Sequence, residues 1–371
     1  IDIVRKDKKN FKILLLTANK NYKLLSKQIE EFKVKNVIVT NKKSYQILKK
    51  KFKKVNIIND LSKIDKMINS KLDYTMSSIS GFDGLKPTIK IIKKTKIIAI
   101  ANKESIICGW SLIKKEIDRH KTKFIPVDSE HFSIWSEIKN VNPEIIDQVI
   151  ITASGGPFLN LKNKKIKKTP KLATNHPNWK MGKKISTDSA TLMNKVFEVI
   201  EAKKIFSIDL SKFKILIHPK SYVHAIIKFN NGLIKLVAHD TDMKIPIFNT
   251  LYNNKNYKIK SKKINFKLLN DLNLNVVNLN KYPLVKILNF VPKTDTLFET
   301  LLVSVNDELV DLFLKNKISF DEISTKLKQI ISHKDFLKYR QKKLNNLTQI
   351  EKLNEFVRLK TKSLSVISHQ R

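Results

Sequence analysis

The chain has 371 residues, 42% of them hydrophobic, enough for two or three domains with sizeable cores. No apolar run reaches the roughly 18 residues of a membrane span, and the single cysteine, Cys108, excludes an intrachain disulfide framework and suits a reducing compartment such as the cytoplasm. A net charge of +40 points toward nucleic acid, but only five of the 73 basic residues are arginine (5, 119, 340, 358 and 371) and the lysines are spread evenly. Nucleic-acid surfaces favour arginine for bidentate contacts, so the basicity reads as drift toward Lys, Asn and Ile, with no specific nucleic-acid partner and no membrane expected.

Short apolar runs alternate with lysine-rich helical spacing through the first ~125 residues. FKILLLTA (11–18), VKNVIVT (34–40), KVNIIN (54–59), YTMSSISG (74–81) and KIIAIA (96–101) read as strands, and YKLLSKQIEEF as one of the helices between them. That alternation predicts a parallel α/β sheet. KTKFIPVD (121–128) and QVIITAS (148–154) are further strands, followed by a long loop over 157–185. TLMNKVFEVIEA then reads as one buried helix, and KILIHP (214–219), YVHAIIKF (222–229) and NGLIKLVA (231–238) as strands, the last returning as a hairpin after Asn231–Gly232. Residues 253–280 read as an Asn/Lys-rich linker, and the spacing is helical from about Tyr282 onward.

Polar groups gather where strands end. KIIAIA runs into Asn102-Lys103-Glu104, FIPV into Asp128-Ser129-Glu130-His131, and VIITA into Ser154-Gly155-Gly156. Open α/β sheets bind ligands at the carboxyl ends of their strands. In extended backbone Asp128 and Glu130 point the same way, and side-by-side carboxylates need a proton or a cation. All-oxygen ligands suit Mg²⁺ or Mn²⁺. On the following helix Thr191, Asn194, Lys195 and Glu198 fall at i, i+3, i+4 and i+7, one face, with Glu198 a candidate third ligand. The same spacings also serve a solvated acidic turn and a solvated helix face.

The ASGGPF loop offers backbone N–H groups and Ser154 to an anion, or is a tight turn. Thr187, Asp188 or Ser189 is a candidate helix N-cap, which is itself an anion site or an ordinary cap. Asn194 and Lys195 are placed to reach phosphate or hydroxyl oxygens. In NHPNWKMGKK (175–184), His176 is a phosphate donor or a solvated loop residue, and Trp179 is a lid or is tucked into a core. His218 and His224 read as core histidines.

The stretches ANKESII (101–107), PVDSEHFSIW (126–135), TASGGPF (152–158), HPNWKMGKKISTDSATLMNKVFEVIEA (176–202) and IHPKSYVH (217–224) resemble, in this order, the 1-deoxy-D-xylulose 5-phosphate reductoisomerase family. GFDGLKPTI (81–89) and VNDELVDLFL (305–314) match more loosely. The resemblance implies an α/β fold: a Rossmann-like NADPH domain over 1–127, an α+β catalytic domain over 128–252 with a flap at about 172–185, the linker, and a helical domain over 281–371. It implies a cytoplasmic homodimer that uses NADPH and Mg²⁺ or Mn²⁺ to convert a sugar phosphate, 1-deoxy-D-xylulose 5-phosphate, to 2-C-methyl-D-erythritol 4-phosphate in isoprenoid biosynthesis. The reaction it implies is a retro-aldol/aldol rearrangement followed by hydride transfer.

By the same resemblance Asp128, Glu130 and Glu198 hold the metal. Lys103, Ser129 and Glu130 meet the carbonyl and hydroxyl end of the substrate. Ser154, His176, Ser189, Asn194 and Lys195 hold its phosphate and nearby hydroxyls. Asn102, Glu104 and Gly182 lie along the cofactor, and Trp179 and Met181 belong to the flap. Two departures stand out. The chain begins at Ile1, after the point where the family carries its first strand and glycine-rich cofactor loop; an upstream segment is expected, and without that loop weak NADPH binding and slow turnover are expected. Asn19 stands where the family usually has glycine; asparagine tolerates left-handed backbone, so Asn19, Lys20 and Asn21 are expected at the adenosine end.

Overall fold

Each apolar run in the first hundred residues is four to eight residues long and bounded by turn formers, the length of a buried strand rather than a helix. The computed structural model, which describes residues 1–161, 166–252 and 256–366, divides into two compact units. One comprises Ile1–Ile100 and Ile113–Ile125, the other Ala101–Leu112 and Pro126–Arg371.

The first unit holds α1 (Asp2–Lys6), β1 (Leu15–Ala18), α2 (Tyr22–Phe32), β2 (Asn36–Val39), α3 (Lys42–Lys51), β3 (Asn56–Ile58), β4 (Leu72–Ser77), α4 (Leu85–Ile92) and β5 (Thr95–Ile100). Asparagine starts two of these helices: the side chains of Asn21 and Asn41 accept from the backbone N–H of Leu24 and Ser44. Leu25 and Ile29, one turn apart on α2, pack with Val37 and Val39 of β2, Leu48 of α3 and Ile57 of β3. Burial of such side chains is worth about 1.5–3 kcal/mol each. The expected parallel sheet is present as two three-stranded sheets, β1-β2-β3 and β4-β5-β6, with β6 at Lys123–Pro126. The pairs β1/β2, β2/β3 and β4/β5 are parallel. Helix α5 (Lys103–His120) is interrupted at Gly109, whose φ of −135° is non-helical; its first part belongs to the second unit and its last part to the first.

In the second unit, β7 (Ile146–Ala153), β8 (Phe213–Ile217), β9 (Val223–Phe229), β10 (Ile234–Ala238) and β11 (Asn275–Val276) form one sheet in the order β10-β9-β7-β8-β11. Only β7/β8 is parallel. Gly232, at φ +86°, turns the β9–β10 hairpin, which a left-handed position makes natural for glycine. The elements around the sheet are α6 (Ser129–Ile138), α7 (Pro170–Ala173), α8 (Lys183–Thr191), α9 (Met193–Phe206), α10 (Lys244–Tyr252) and α11 (Phe266–Asn270). Val199 and Ala202 of α9 share a core with Val149 and Ile151 of β7, Ile215 of β8 and Ala225 and Ile227 of β9. The C-terminal helices are α12 (Phe298–Leu314), α13 (Phe320–Ile331), α14 (Lys334–Leu337) and α15 (Leu347–Val366). Helix α12 is buried along nearly its whole length and packs on α8, α13 and α15.

Three local expectations are corrected. The strand through Asp128 stops at Pro126, and Asp128 is the N-cap of α6, with Glu130 in the first helical turn. The single helix through Thr191 is two helices broken at Leu192, which takes φ +59°. Left-handed backbone costs a β-carbon-bearing residue about 1–2 kcal/mol. Leu192 bears it because its side chain, 1% exposed, is locked into the sheet core. Thr187, Asp188 and Ser189 lie inside α8, whose N-cap is Gly182. In the stretch expected as linker, residues 253–255 lie outside the described residues, while α11 and β11 are regular.

Candidate active site

The start of α5, the start of α6 and the first turns of α9 supply one buried charge cluster. Lys103 Nζ lies 3.0 Å from Asp128 Oδ2 and 3.3 Å from Glu198 Oε1, and donates to Asn194 Oδ1 at 2.7 Å. Lys195 Nζ pairs with Glu130 Oε1 and lies 2.7 Å from Glu198 Oε2. Ser129 Oγ donates to Glu130 Oε2 at 2.6 Å, and Asn194 Nδ2 donates to Glu198 Oε1. The break at Leu192 makes this possible. It restarts the helix so that Asn194, Lys195 and Glu198 share a face, while Thr191 stays on α8 and bonds locally, its Oγ1 accepting from Met193 N. The expected stripe is thus three residues, not four.

Carboxylate oxygens of Asp128, Glu130 and Glu198 all lie within 4.8 Å of one another. Counting the pair behind them, Asp128, Glu130, Glu198 and Glu201 face Lys103, Lys195 and His131, whose ring Glu201 and Asp128 hold protonated against its burial, so the cluster is one positive charge short unless Glu130 keeps a proton. Two like charges 4 Å apart repel by about 4 kcal/mol at an effective dielectric near 20. The strain shows in the protonation equilibria. Burial, followed by the Glu198 charge, pushes Glu130 up to about 8 against the pull of Lys195. Burial works against the charge on Lys103, but Asp128 and Glu198 hold it well above the usual lysine range. Burial likewise opposes ionised Asp128, yet Lys103 and His131 hold it well below its usual value. A cluster of buried oxygens that needs a further positive charge fits a hard divalent cation.

Behind the cluster lies a pair that the sequence reading left without a role. His131, fully buried, shares a hydrogen bond with the Glu198 carbonyl through Nε2 at 2.9 Å. Its ring lies 3.6 Å from Glu201 Oε2 and 3.7 Å from Asp128 Oδ1. Glu201 was discoverable as i+3 from Glu198 on α9, but its burial was not.

The glycine loop and the 175–184 segment form a second set of donors. His176 Nδ1 accepts the backbone N–H of Asn178 at 3.2 Å and of Trp179 at 3.0 Å. Burial, then the nearby Lys195 charge, lowers His176 to about 4, so the ring is neutral. A neutral ring with Nδ1 accepting carries its proton on Nε2, which therefore donates to Ser154 Oγ at 2.9 Å. Ser154 Oγ also accepts from Gly156 N at 3.1 Å. With both nitrogens donating to it, the Ser154 hydroxyl hydrogen is directed to an acceptor outside this pair, as an anion site requires. Gly156, at φ +68°, brings the loop against α8: an added Cβ would lie 2.7 Å from the Ser189 carbonyl oxygen. The loop that carries Ser154, bonded to His176, thus presses on the Ser189 backbone, and the Lys195 charge acts on His176.

Asn178, also missed, ties the segment down by donating from Nδ2 to Pro219 O at 2.6 Å and Ser221 Oγ at 2.9 Å. Trp179 is half-buried, edge-on to His224 at 6.1 Å, and His224 stacks on His239 at 3.7 Å. Met181 is half-buried and Gly182 exposed at the start of α8. Asn102 is buried, with Oδ1 accepting from Ser105 N, and the Glu104 carboxylate meets Lys184 Nζ at 2.9 Å. Asn19, Lys20 and Asn21 follow β1 in the first unit. Asn19 is not left-handed, Lys20 O accepts from Ser44 Oγ, and Asn21 caps α2. His218 is buried with Nδ1 against Leu272 O.

Family models match along the chain: 1-deoxy-D-xylulose 5-phosphate reductoisomerase over residues 1–109, its C-terminal domain over 124–206, and the DXP reductoisomerase C-terminal domain over 239–360. The chain is 56% identical to the 1-deoxy-D-xylulose 5-phosphate reductoisomerase of Pelagibacter ubique, covering 99% of this chain and 96% of that one. It is 35% identical to that of Persephonella marina over 91% and 88% of the two chains. Among solved structures it resembles the Zymomonas mobilis enzyme in complex with NADPH, with TM-score 0.88, 29% identity and 98% and 94% coverage. A DOX-P reductoisomerase in complex with NADPH, fosmidomycin and magnesium superposes with TM-score 0.91 at 28% identity over 99% and 95% of the chains.

Proposed function

The chain belongs to the 1-deoxy-D-xylulose 5-phosphate reductoisomerase family, and on that premise we propose that its buried carboxylate cluster is the metal centre of this reaction. The enzyme is an NADPH- and divalent-metal-dependent oxidoreductase that converts 1-deoxy-D-xylulose 5-phosphate to 2-C-methyl-D-erythritol 4-phosphate in isoprenoid precursor biosynthesis. The observation that carries the site assignment is the convergence of Asp128, Glu130 and Glu198 within 4.8 Å in a cluster short of positive charge. When bound there, the divalent ion supplies Lewis acidity, and NADPH supplies the hydride.

The protein's own groups divide the remaining tasks. Lys103, held protonated beside Asp128 and Glu198, stabilises negative charge that develops on substrate oxygens. Ser129 and Glu130 face the same reacting end. Ser154, donating its free hydroxyl hydrogen, holds the phosphate with Ser189, Asn194 and Lys195, and neutral His176 orients Ser154. Binding the phosphate away from the reacting carbons orients them. Trp179 and Met181, in a flap over 172–185, close over the substrate and exclude water. Asn102, Glu104 and Gly182 line the cofactor, with Asn19, Lys20 and Asn21 at its adenosine end.

The division into an NADPH domain (1–127), catalytic domain (128–252), linker (253–280) and helical domain (281–371) is part of this reading. So is a homodimer, supported by the edge strand β10, whose Ile234 and Leu236 are 55 and 48% exposed, with Leu233 just before it 59% exposed. Cytoplasmic residence is supported by the single cysteine. No helix among the described residues is long and apolar enough to cross a membrane.

The test is NADPH oxidation with 1-deoxy-D-xylulose 5-phosphate in chelator-treated protein to which Mg²⁺ is restored, for the wild type and for Asp128→Asn, Glu130→Gln and Glu198→Gln. Each substitution is expected to remove metal-dependent turnover with the fold intact. Wild-type activity in any one of them removes that residue from the metal centre.

A further inference from the structure

Lys184 holds three acids from three helices, and none of the tasks above uses it. Its Nζ lies 2.9 Å from Glu104 Oε1, 3.1 Å from Asp188 Oδ2 and 3.0 Å from Asp307 Oδ1. Glu104 is in the first turn of α5, directly after Lys103. Asp188 is on α8, directly before Ser189. Asp307 is on α12. All three acids are at most 9% exposed, and Asn306 Nδ2 completes the knot by donating to Asp188 Oδ1 at 2.8 Å. One ammonium against three buried carboxylates is more than packing needs; an apolar residue would fill the space without the desolvation cost. What the ammonium does that an apolar residue would not is fix the direction of the α5 start, and with it Lys103.

We propose that Lys184 is a positioning residue: by clamping Glu104 to Asp188 it holds the first turn of α5 against α8, so that Lys103 meets Asp128, Asn194 and Glu198. The inference rests on the reading above, in which Lys103 serves the reacting end of the substrate. Burial opposes the ionised form of Glu104, but Lys184 holds its carboxyl below the usual range; Asp307, farthest in the chain from the site, is pushed by burial up to about 6. Asp307 is therefore the acid most readily given up.

Lys184→Met alone strands three buried carboxylates and is expected to lose stability. Lys184→Met combined with Asp307→Asn removes one charge of each sign and keeps the net charge of the knot, so it separates folding from positioning. The double variant, which still leaves Glu104 and Asp188 without the ammonium, is expected to melt below the wild type but above Lys184→Met alone and to be folded at the assay temperature, with kcat lowered about tenfold or more, as small misplacements of catalytic groups do. The KM values for substrate and NADPH are expected to stay within about threefold, and Lys184→Arg, which keeps a cation in the knot, should recover much of kcat. Asp307→Asn alone should turn over like wild type. Wild-type kcat in the folded double variant overturns the proposal. A rise in KM with kcat unchanged also overturns it, as does failure of both the double variant and Lys184→Arg to fold, which would assign Lys184 to stability. Wild-type turnover, measured alongside, tests the underlying reading separately: its absence defeats that reading, whereas normal wild-type turnover with an indifferent double variant defeats only the role of Lys184.

Discussion

Replacing Gly156 by alanine tests how closely the Ser154–Gly156 loop is fitted to α8. Two costs follow from the geometry. Gly156 sits at φ +68°, where an L-residue is strained by about 1–2 kcal/mol. Its new Cβ would also stand 2.7 Å from Ser189 O, 2.8 Å from Ala190 Cα and 2.9 Å from Ala190 N, all backbone atoms that cannot swing aside. Overpacking of that kind costs a further 1–3 kcal/mol or so, giving roughly 2–5 kcal/mol in all. Gly232→Ala is the control. It lies in the same unit at φ +86°, and its Cβ would meet nothing within 4 Å, so only the strain applies. Urea unfolding of the two variants should therefore differ by about 1–3 kcal/mol. Because the loop carries Ser154 and presses on Ser189, Gly156→Ala should also lower kcat/KM by about tenfold or more, while Gly232→Ala should not. Equal stability loss and equal turnover in the two variants would refute the close approach.

Three further outcomes are expected. In NMR titration the His176 ring should stay neutral, with its proton on Nε2, down to about pH 4; because its folded pKa is depressed, the stability it contributes is full above the ordinary histidine range and is lost as pH falls toward 4, and a ring titrating near 6.5 would contradict the assignment. Asn178→Ala removes the bonds to Pro219 O and Ser221 Oγ; at about 1 kcal/mol each their loss should lower the melting temperature by a few degrees and raise the substrate KM several-fold, and an unchanged KM would show that these bonds do not position the 175–184 segment for substrate. Duplex DNA should bind weakly, without sequence preference, and dissociate steeply as salt rises; tight selective binding at physiological salt would show that the +40 charge is functional.

The strands were legible because each is a short apolar run stopped by turn formers, and β1 to β10 each fall within or beside an expected run. Their ends were less so, as at Pro126, where α6 begins sooner than the apolar pattern ends. The break at Leu192 was invisible, since leucine disfavours left-handed backbone and only the surrounding core, built from distant strands, holds it there. The carboxylates and lysines of the buried cluster were singled out through the family resemblance, since spacing alone left a solvated acidic turn and a solvated helix face equally open for Asp128, Glu130 and Glu198. His131, Glu201, Lys184 and Asn178 were not. Each looks like an ordinary polar residue in its own segment, and its weight comes from burial and from partners up to more than a hundred residues away, as Lys184 and Asp307 are.

The most direct test of the metal centre is a Mn²⁺ titration, followed by electron paramagnetic resonance, of wild type and Glu198→Gln, with turnover read on the same samples. The account predicts a single Mn²⁺ site in the wild type, weakened about tenfold or more in Glu198→Gln, with turnover falling in parallel. Undiminished Mn²⁺ binding by Glu198→Gln, or turnover by chelator-treated wild type without added metal, would contradict it.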